Sequence, residues 1–262
     1  MTSISDLHAH SLCSGDASST VGEMCARAAQ LGIERIAFTE HLDLEPTDPQ
    51  YGHYDYGWHR REIEGARREF GDRLEVLMGI EIDYQPDYHD GVAQFLTEHD
   101  FDLVLGAVHY VDHAYLDSDE FLSQPQREAY GRYFRAVTEA TQTGLFGVMA
   151  HLDYCKRHGH EVYGGYDPAD FEEDIREALQ ALIQTGTVLE VNTSGLRQDP
   201  RETYPSPVIV RWYREMGGQR IALGSDGHDT DQLGYGLEEG LAIAREAGFT
   251  RWEGRWLVAP PS

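Results

Sequence analysis

The chain has 262 residues, 40% of them apolar and 26% charged, which allows one large domain with a core and is ordinary for a soluble globular protein. Its formal net charge of −25 disfavours association with nucleic acid or with an anionic membrane, because both need a positive surface. No apolar run approaches the roughly 18 residues needed to span a bilayer, residues 1–6 do not open a signal peptide, and Cys13, Cys25 and Cys155 form no CxxC pair, as expected of reduced thiols in a cytoplasmic protein.

Short apolar, β-branched runs alternate with longer amphipathic stretches. The first run, 4–8, is followed by a helical pattern over 21–31, with Val21, Met24, Cys25, Ala28 and Ala29 on one face and a stop at Gly32. The second run, 35–39, leads through an aromatic segment at 44–56, expected to be an ordered surface loop with cover for a site as the alternative, into a charged helix over 58–70. Runs at 74–82 and 103–108 precede a helix over 129–143. A run at 146–150 leads to a helix over 168–185, with Asp167 as N-cap and Pro168 at its first position. The last elements are a run at 188–191, a helix over 207–216, a run at 220–223 and a helix over 237–247. Glycine after each helix is the stop expected of helices that feed into strands. Repeated β-then-α order means parallel strands with helical crossovers. Seven such units predict an α/β fold, either a closed or nearly closed barrel or an open doubly wound sheet. With no internal repeat, low-complexity tract or linker, residues 1–262 read as one domain.

The thirteen histidines are unevenly placed. His8 and His10 close the first run and Asp16 follows. His41 ends the second, Glu81 the third, His109 the fourth and His151 the fifth, while Asp226 and His228 follow the seventh. Residues i and i+2 of a strand face one side, so His-x-His and Asp-x-His aim two donors at one point. In a barrel of parallel strands the C-terminal ends meet at one face, where sites are built. Imidazole nitrogen with a few carboxylates suits zinc, iron or manganese. Nine such donors are too many for one ion and fit two or three. The other histidines read mainly as surface or loop residues, with His113 and His158 as further substrate or supporting contacts.

These residues resemble the polymerase-and-histidinol-phosphatase (PHP) family. The matching motifs are Asp-Leu-His-Ala-His-Ser (6–11) with Asp16, Thr-Glu-His (39–41), Gly-Ile-Glu (79–81), Val-His-Tyr (108–110), Ala-His-Leu-Asp (150–153) and Gly-Ser-Asp-Gly-His (224–228). The segments at 40–43, 151–157 and 190–197 look like the histidinol-phosphatase branch. The resemblance implies a distorted (β/α)7 TIM-like barrel with its active site at the C-terminal strand ends and a trinuclear metal centre. His8, His10, Glu81 and Asp226 would hold one ion, a bridging Glu81 with His109 and His151 a second, and Asp16, His41 and His228 a third. It further implies hydrolysis of L-histidinol phosphate to L-histidinol and phosphate, a reaction of histidine biosynthesis.

A phosphate monoester repels nucleophiles, and divalent ions remove that obstacle by neutralising its oxygens and acidifying water. The chemistry expected is attack on phosphorus by a metal-bridging hydroxide held by Glu81, His8, His10 and Asp226, without a phospho-enzyme. Arg197, after the sixth strand, and Lys156 and Arg157, after the fifth, are the expected phosphate anchors, and Asp153 is a candidate to orient a ligand histidine. The substrate would be a small phosphate monoester. A PHP nucleotide phosphatase or exonuclease is the alternative, but a nuclease needs a basic groove with aromatics or an inserted domain, and neither is evident. A metal-dependent amidohydrolase would bridge its metals with a carboxylated lysine, whereas the only lysine, Lys156, lies several residues past His151. A non-enzymatic metal-binding module would have little need of the adjacent basic residues.

Overall fold

The computed structural model describes residues 4–260; residues 1–3, part of the leader reading, and 261–262 lie outside it. In chain order the elements are β1 Ser5–Ala9, α1 Val21–Leu31, β2 Arg35–Leu42, α2 Tyr56–Phe70, β3 Glu75–Asp83, α3 His89–Glu98 and β4 Leu103–Ala107. A small hairpin, β5 Tyr110–Val111 and β6 Ala114–Tyr115, precedes α4 Asp119–Leu122, α5 Gln126–Gln142 and β7 Val148–Met149. Then come α6 Cys155–Tyr163, α7 Glu172–Thr185, β8 Val188–Asn192, α8 Pro207–Glu215, β9 Arg220–Gly224, α9 Leu237–Glu246, β10 Arg251–Glu253 and β11 Trp256–Val258. Helix α1 shows why such segments are helical. Thr20 and Glu23 form a reciprocal capping box, Val21, Met24, Cys25 and Ala28 form a buried stripe, and Gly32 ends the helix in the left-handed region at φ 73°.

The main sheet runs β1-β2-β3-β4-β7-β8-β9-β11-β10. Its first seven strands are parallel, and β10 and β11 form an antiparallel hairpin on β9 that the sequence reading did not anticipate. The seven parallel strands curl until the first meets the continuation of the last: Asp226 N donates to His8 O at 2.7 Å and His10 N to Gly227 O at 2.9 Å. β11 instead pairs with the start of β9, opposite Ile221 and Arg220, so no uninterrupted ladder closes the ring.

Two apolar layers follow from strand alternation. Leu7, Ala37, Leu77, Leu105, Val148, Val188 and Ala222, drawn from all seven parallel strands, fill the inside of the curl. Their neighbours Ile36, Phe38, Val76, Met78, Leu189, Val191, Ile221 and Leu223 pack outward under the helices. The inward row continues along the strands through His41, Glu81, Glu190 and His109, so the alternation that fills the core also points these polar side chains at the C-terminal mouth.

Candidate metal centre

Two backbone irregularities bring in the donors that alternation alone would misplace. Leu7 faces inward, so strict alternation would turn His8 outward. The ladder between β1 and β2 slips after Asp6↔Ile36 to Ala9↔Phe38, a bulge that lets Leu7 and then His8 and His10 all face inward. Ala150 also faces inward, and His151 recovers that face through a left-handed backbone at φ 27°. Asp226 has φ 54°. A non-glycine residue in this region carries strain of about 1–3 kcal/mol, typical of functional positions.

The structure brings the nine predicted donors together. Nε2 of His8 lies 3.1 Å from both His10 Nε2 and Glu81 Oε2. His10 Nε2 is 3.5 Å from both Glu81 Oε2 and Asp226 Oδ1. Across Glu81, Oε1 meets His151 Nε2 at 2.8 Å, and the His109 ring centroid lies 5.1 Å from that of His151. At the rim, Asp16 Oδ2 stands 3.5 Å from His41 Nε2 and 3.1 Å from His228 Nε2. Three sets hold donor atoms within 4.8 Å of one another: His8, His10 and Asp226; Glu81, His109 and His151; and His10, His41 and His228. The first and third depart from the expected grouping: Glu81 falls only in the second set, and His10 joins His41 and His228, with Asp16 beside them.

Several supporting residues were not singled out from the sequence. Glu190, fully inside β8, has Oε1 2.8 Å from His8 Nδ1, while its Oε2 accepts from His151 N at 2.8 Å and Asn192 Nδ2 at 3.1 Å. An Nδ1–H donated to Glu190 leaves the Nε2 lone pair of His8 facing the other donors. Asp83 accepts from His109 N at 2.6 Å, and Asp6 accepts from Ser225 N at 2.9 Å and fixes the turn before Asp226. The available signal was an acid inside an apolar strand, since a buried carboxylate needs partners.

The donor set suits divalent ions electrostatically. Burial and the imidazoles of His228 and His41 push His10 down to about 3. Burial also takes His109 to about 3 against the pull of Glu81. Both are thereby neutral, the form that ligates a metal. Burial opposes ionisation of Glu81 and Asp226, but His8 and the neighbouring histidines outweigh it and hold both carboxyls well below the usual range. Burial opposes protonation of His8, His41 and His228, but the carboxylates of Glu81 and Asp16 outweigh it and hold all three above the usual imidazole range, so divalent ions bound there would take the place of protons set against ionised carboxylates.

Seven of the donors, Asp16, His41, Glu81, His109, His151, Asp226 and His228, floor a cavity of about 1060 Å³ with His8 and His10 beneath them, and Arg157, Arg197, Tyr154, Tyr110, Tyr115, Asp43 and Asp48 also line it. Arg157 donates to the Tyr154 hydroxyl. Arg197 donates to Ser225 O at 2.7 Å and Asp226 O at 2.6 Å. Three expectations need correction, and a fourth segment follows its alternative reading. Lys156 is not at the cavity: its Nζ is buried and bound by Asp153, Glu202, Thr203 O and Ser206 Oγ at 2.7–3.0 Å. Asp153 orients no histidine, because Lys156 and Ser206 occupy its Oδ2. His59 is a buried helix residue bonded to the Tyr54 hydroxyl rather than a surface one. The 44–56 segment does more than cover surface, since Thr47, Asp48, Pro49 and Gln50 form part of the cavity wall. His113 also lines the cavity, held by Glu45 at 2.8 Å and Asp87 at 3.1 Å, whereas His158 packs against Tyr115 and Tyr154.

The PHP domain family profile matches residues 6–194. The chain is 31% identical to a Deinococcus radiodurans protein named "Probable histidinol-phosphatase", over 95% of both chains. It is 28% identical to the histidinol-phosphatase of Lactococcus lactis subsp. lactis, over 93% of this chain and 91% of the relative. Among solved structures it is similar to histidinol phosphate phosphatase from Lactococcus lactis subsp. lactis complexed with zinc, L-histidinol and phosphate, with a TM-score of 0.86, 26% identity and 94% of each chain covered.

Proposed function

The chain belongs to the PHP domain family, and on that premise we propose that it is a metal-dependent phosphomonoesterase that hydrolyses L-histidinol phosphate to L-histidinol and phosphate, a reaction of histidine biosynthesis. The observation that carries this reading is the juxtaposition of the three donor sets with Arg157 and Arg197 on one cavity. His8, His10, Glu81 and Asp226 would hold one ion, Glu81, His109 and His151 a second, and Asp16, His41 and His228 a third, with His10 close to the last set. Two or three zinc, manganese or iron ions, when bound there, would supply Lewis acidity that offsets phosphate charge and lowers the pKa of water.

The chain's own residues do the positioning. Glu81 presents one oxygen to His8 and the other to His151, so a single carboxylate serves two donor sets. Arg157 and Arg197 anchor the phosphate. Arg197 gives three of its five N–H groups to Ser225 O, Asp226 O and Gln232 Oε1, which leaves two to serve an oxyanion. Its grip on the Asp226 carbonyl ties phosphate binding to the strained turn that carries a donor. The enclosed setting strengthens these charge contacts relative to water.

The deciding test is phosphate release by purified, metal-supplied protein from L-histidinol phosphate, nucleotides, p-nitrophenyl phosphate and a short single-stranded oligonucleotide. The expected outcome is strong preference for L-histidinol phosphate, with activity lost in Asp226→Ala. Preference for nucleotides or the oligonucleotide would replace this substrate with a nucleic-acid-derived one.

A further inference from the structure

Asp43 follows His41 by two residues and shares its inward direction, beyond the end of β2. It lines the cavity and is only 6% exposed. Among the described residues it accepts no hydrogen bond and forms no ion pair. The other carboxylates buried around the centre differ. Glu40 takes Ser11 N, Ser11 Oγ and Ser14 Oγ, Glu190 serves His8, His151 and Asn192, and Asp6 serves Ser225 and Gly234. The oxygens of Asp43 are not sealed in the protein but reach the cavity, so the donor it lacks can come from a molecule bound there. Asp43 belongs to none of the three donor sets, so no metal position supplies that partner.

The surrounding wall narrows the chemistry. Asp48 lines the same cavity, held by the Tyr110 hydroxyl at 2.9 Å and Gln50 N at 2.6 Å. The rings of Tyr110 and Tyr115 lie 5.1 Å apart and also line it. Two carboxyls on one wall are a setting for an organic cation that can donate hydrogen bonds. Arg157, in the first turn of α6 after β7, and Arg197, after β8, stand on the other arc of the curled sheet. The cavity is therefore polarised, with fixed cations on one arc and the carboxyls of Asp43 and Asp48 on the other. That polarity matches a phosphate ester carrying a primary amine.

We propose that Asp43 is a specificity-determining residue that accepts the ammonium group of the substrate, selecting phosphate monoesters of amino alcohols. The inference rests on the phosphomonoesterase reading and extends it to the group that distinguishes this substrate. Asp48 adds a second acceptor and long-range attraction, and the ammonium provides the hydrogen bonds that Asp43 lacks.

The test compares wild type and Asp43→Asn, each loaded with metal, on L-histidinol phosphate, its deamino analogue and p-nitrophenyl phosphate. The expected result is a fall in kcat/KM of about 10- to 100-fold on L-histidinol phosphate, as for loss of a hydrogen bond to a charged group. On the two amine-free esters, and in metal content, the variant should match wild type to within about twofold. Equal losses on all three esters would overturn the proposal, since Asp43 would then act through His41 and the metals. No loss on any would overturn it as well. Should the variant not fold, wild type alone decides: equal kcat/KM for L-histidinol phosphate and its deamino analogue would exclude ammonium recognition. Wild type that cleaves p-nitrophenyl phosphate but not L-histidinol phosphate would overturn the proposed function itself, and this inference with it.

Discussion

Glu190 stands between Leu189 and Val191 in β8, and its two oxygens hold His8 Nδ1, His151 N and Asn192 Nδ2. It touches two candidate ligands without belonging to a donor set. Removing its charge while keeping its shape leaves His8 with a weaker acceptor and frees its tautomer, so the expected effect of Glu190→Gln is on metal affinity. Partners of this kind are worth about 10- to 100-fold in affinity or activity. Zinc titration of the stripped variant should show weakened binding of that size, with excess zinc recovering most of the activity. An unchanged zinc affinity would reduce Glu190 to a packing role. Lys156 is the converse case: its place after His151 suggested a phosphate anchor, yet its ammonium is used up by Asp153, Glu202, Thr203 and Ser206. Sequence position alone does not show whether a charge points into a cavity or into a buried network.

At the scale of elements, regular alternation explains only part of the site. His41, Glu81 and His109 continue inward rows through Ala37, Leu77 and Leu105, so period-two reasoning locates them. His8 needs the β1 bulge and His151 the left-handed turn, and neither irregularity has a glycine or proline to announce it. Helix α1, with its capping box and Gly32 in the left-handed conformation, was legible throughout, whereas of α7 only the end at Gly186 was: Asp167 and Pro168 open a 3-10 turn over Pro168–Phe171, and α7 itself starts at Glu172 without a side-chain cap. Helices α3, α4 and α6 were not, since they bury few apolar residues, and neither was the two-residue strand pairing of β5 and β6. Gly224, at the end of β9, makes room for the bulged strand: a Cβ there would lie 2.4 Å from both His8 Cβ and Glu190 Oε1. Both neighbours are buried and cannot move away freely. Gly224→Ala should therefore cost about 1–3 kcal/mol by overpacking and displace His8. Denaturant unfolding together with zinc content would reveal the two effects, and a fully stable, fully loaded variant would show that the close approach is dispensable.

The whole molecule sets a net charge of −25 against a proposed anionic substrate, and the proposed metal ions resolve that opposition locally. The candidate centre draws its donors from β1, β2, β3 and the ends of β4, β7 and β9, so ions bound there would tie together most of the barrel mouth. Ligands that bind only the folded state stabilise it by mass action, about 2.7 kcal/mol when free ligand is 100 times its dissociation constant. For a chain of this size each kcal/mol moves the melting temperature by about 2–4 °C. Chelation should accordingly lower Tm by about 5–10 °C, and added zinc or manganese should restore it. The comparison must hold ionic strength constant, because a chain this acidic gains stability from screening of its self-repulsion alone. Asp226→Ala separates the two contributions: it removes a donor shared with His8 and His10, so its chelator-induced shift should shrink while its response to sodium chloride stays as in wild type. A chelator shift of equal size in Asp226→Ala would place the stabilising ions elsewhere on the acidic surface. No shift in wild type, with no metal found by elemental analysis, would remove the metal centre from the proposed chemistry.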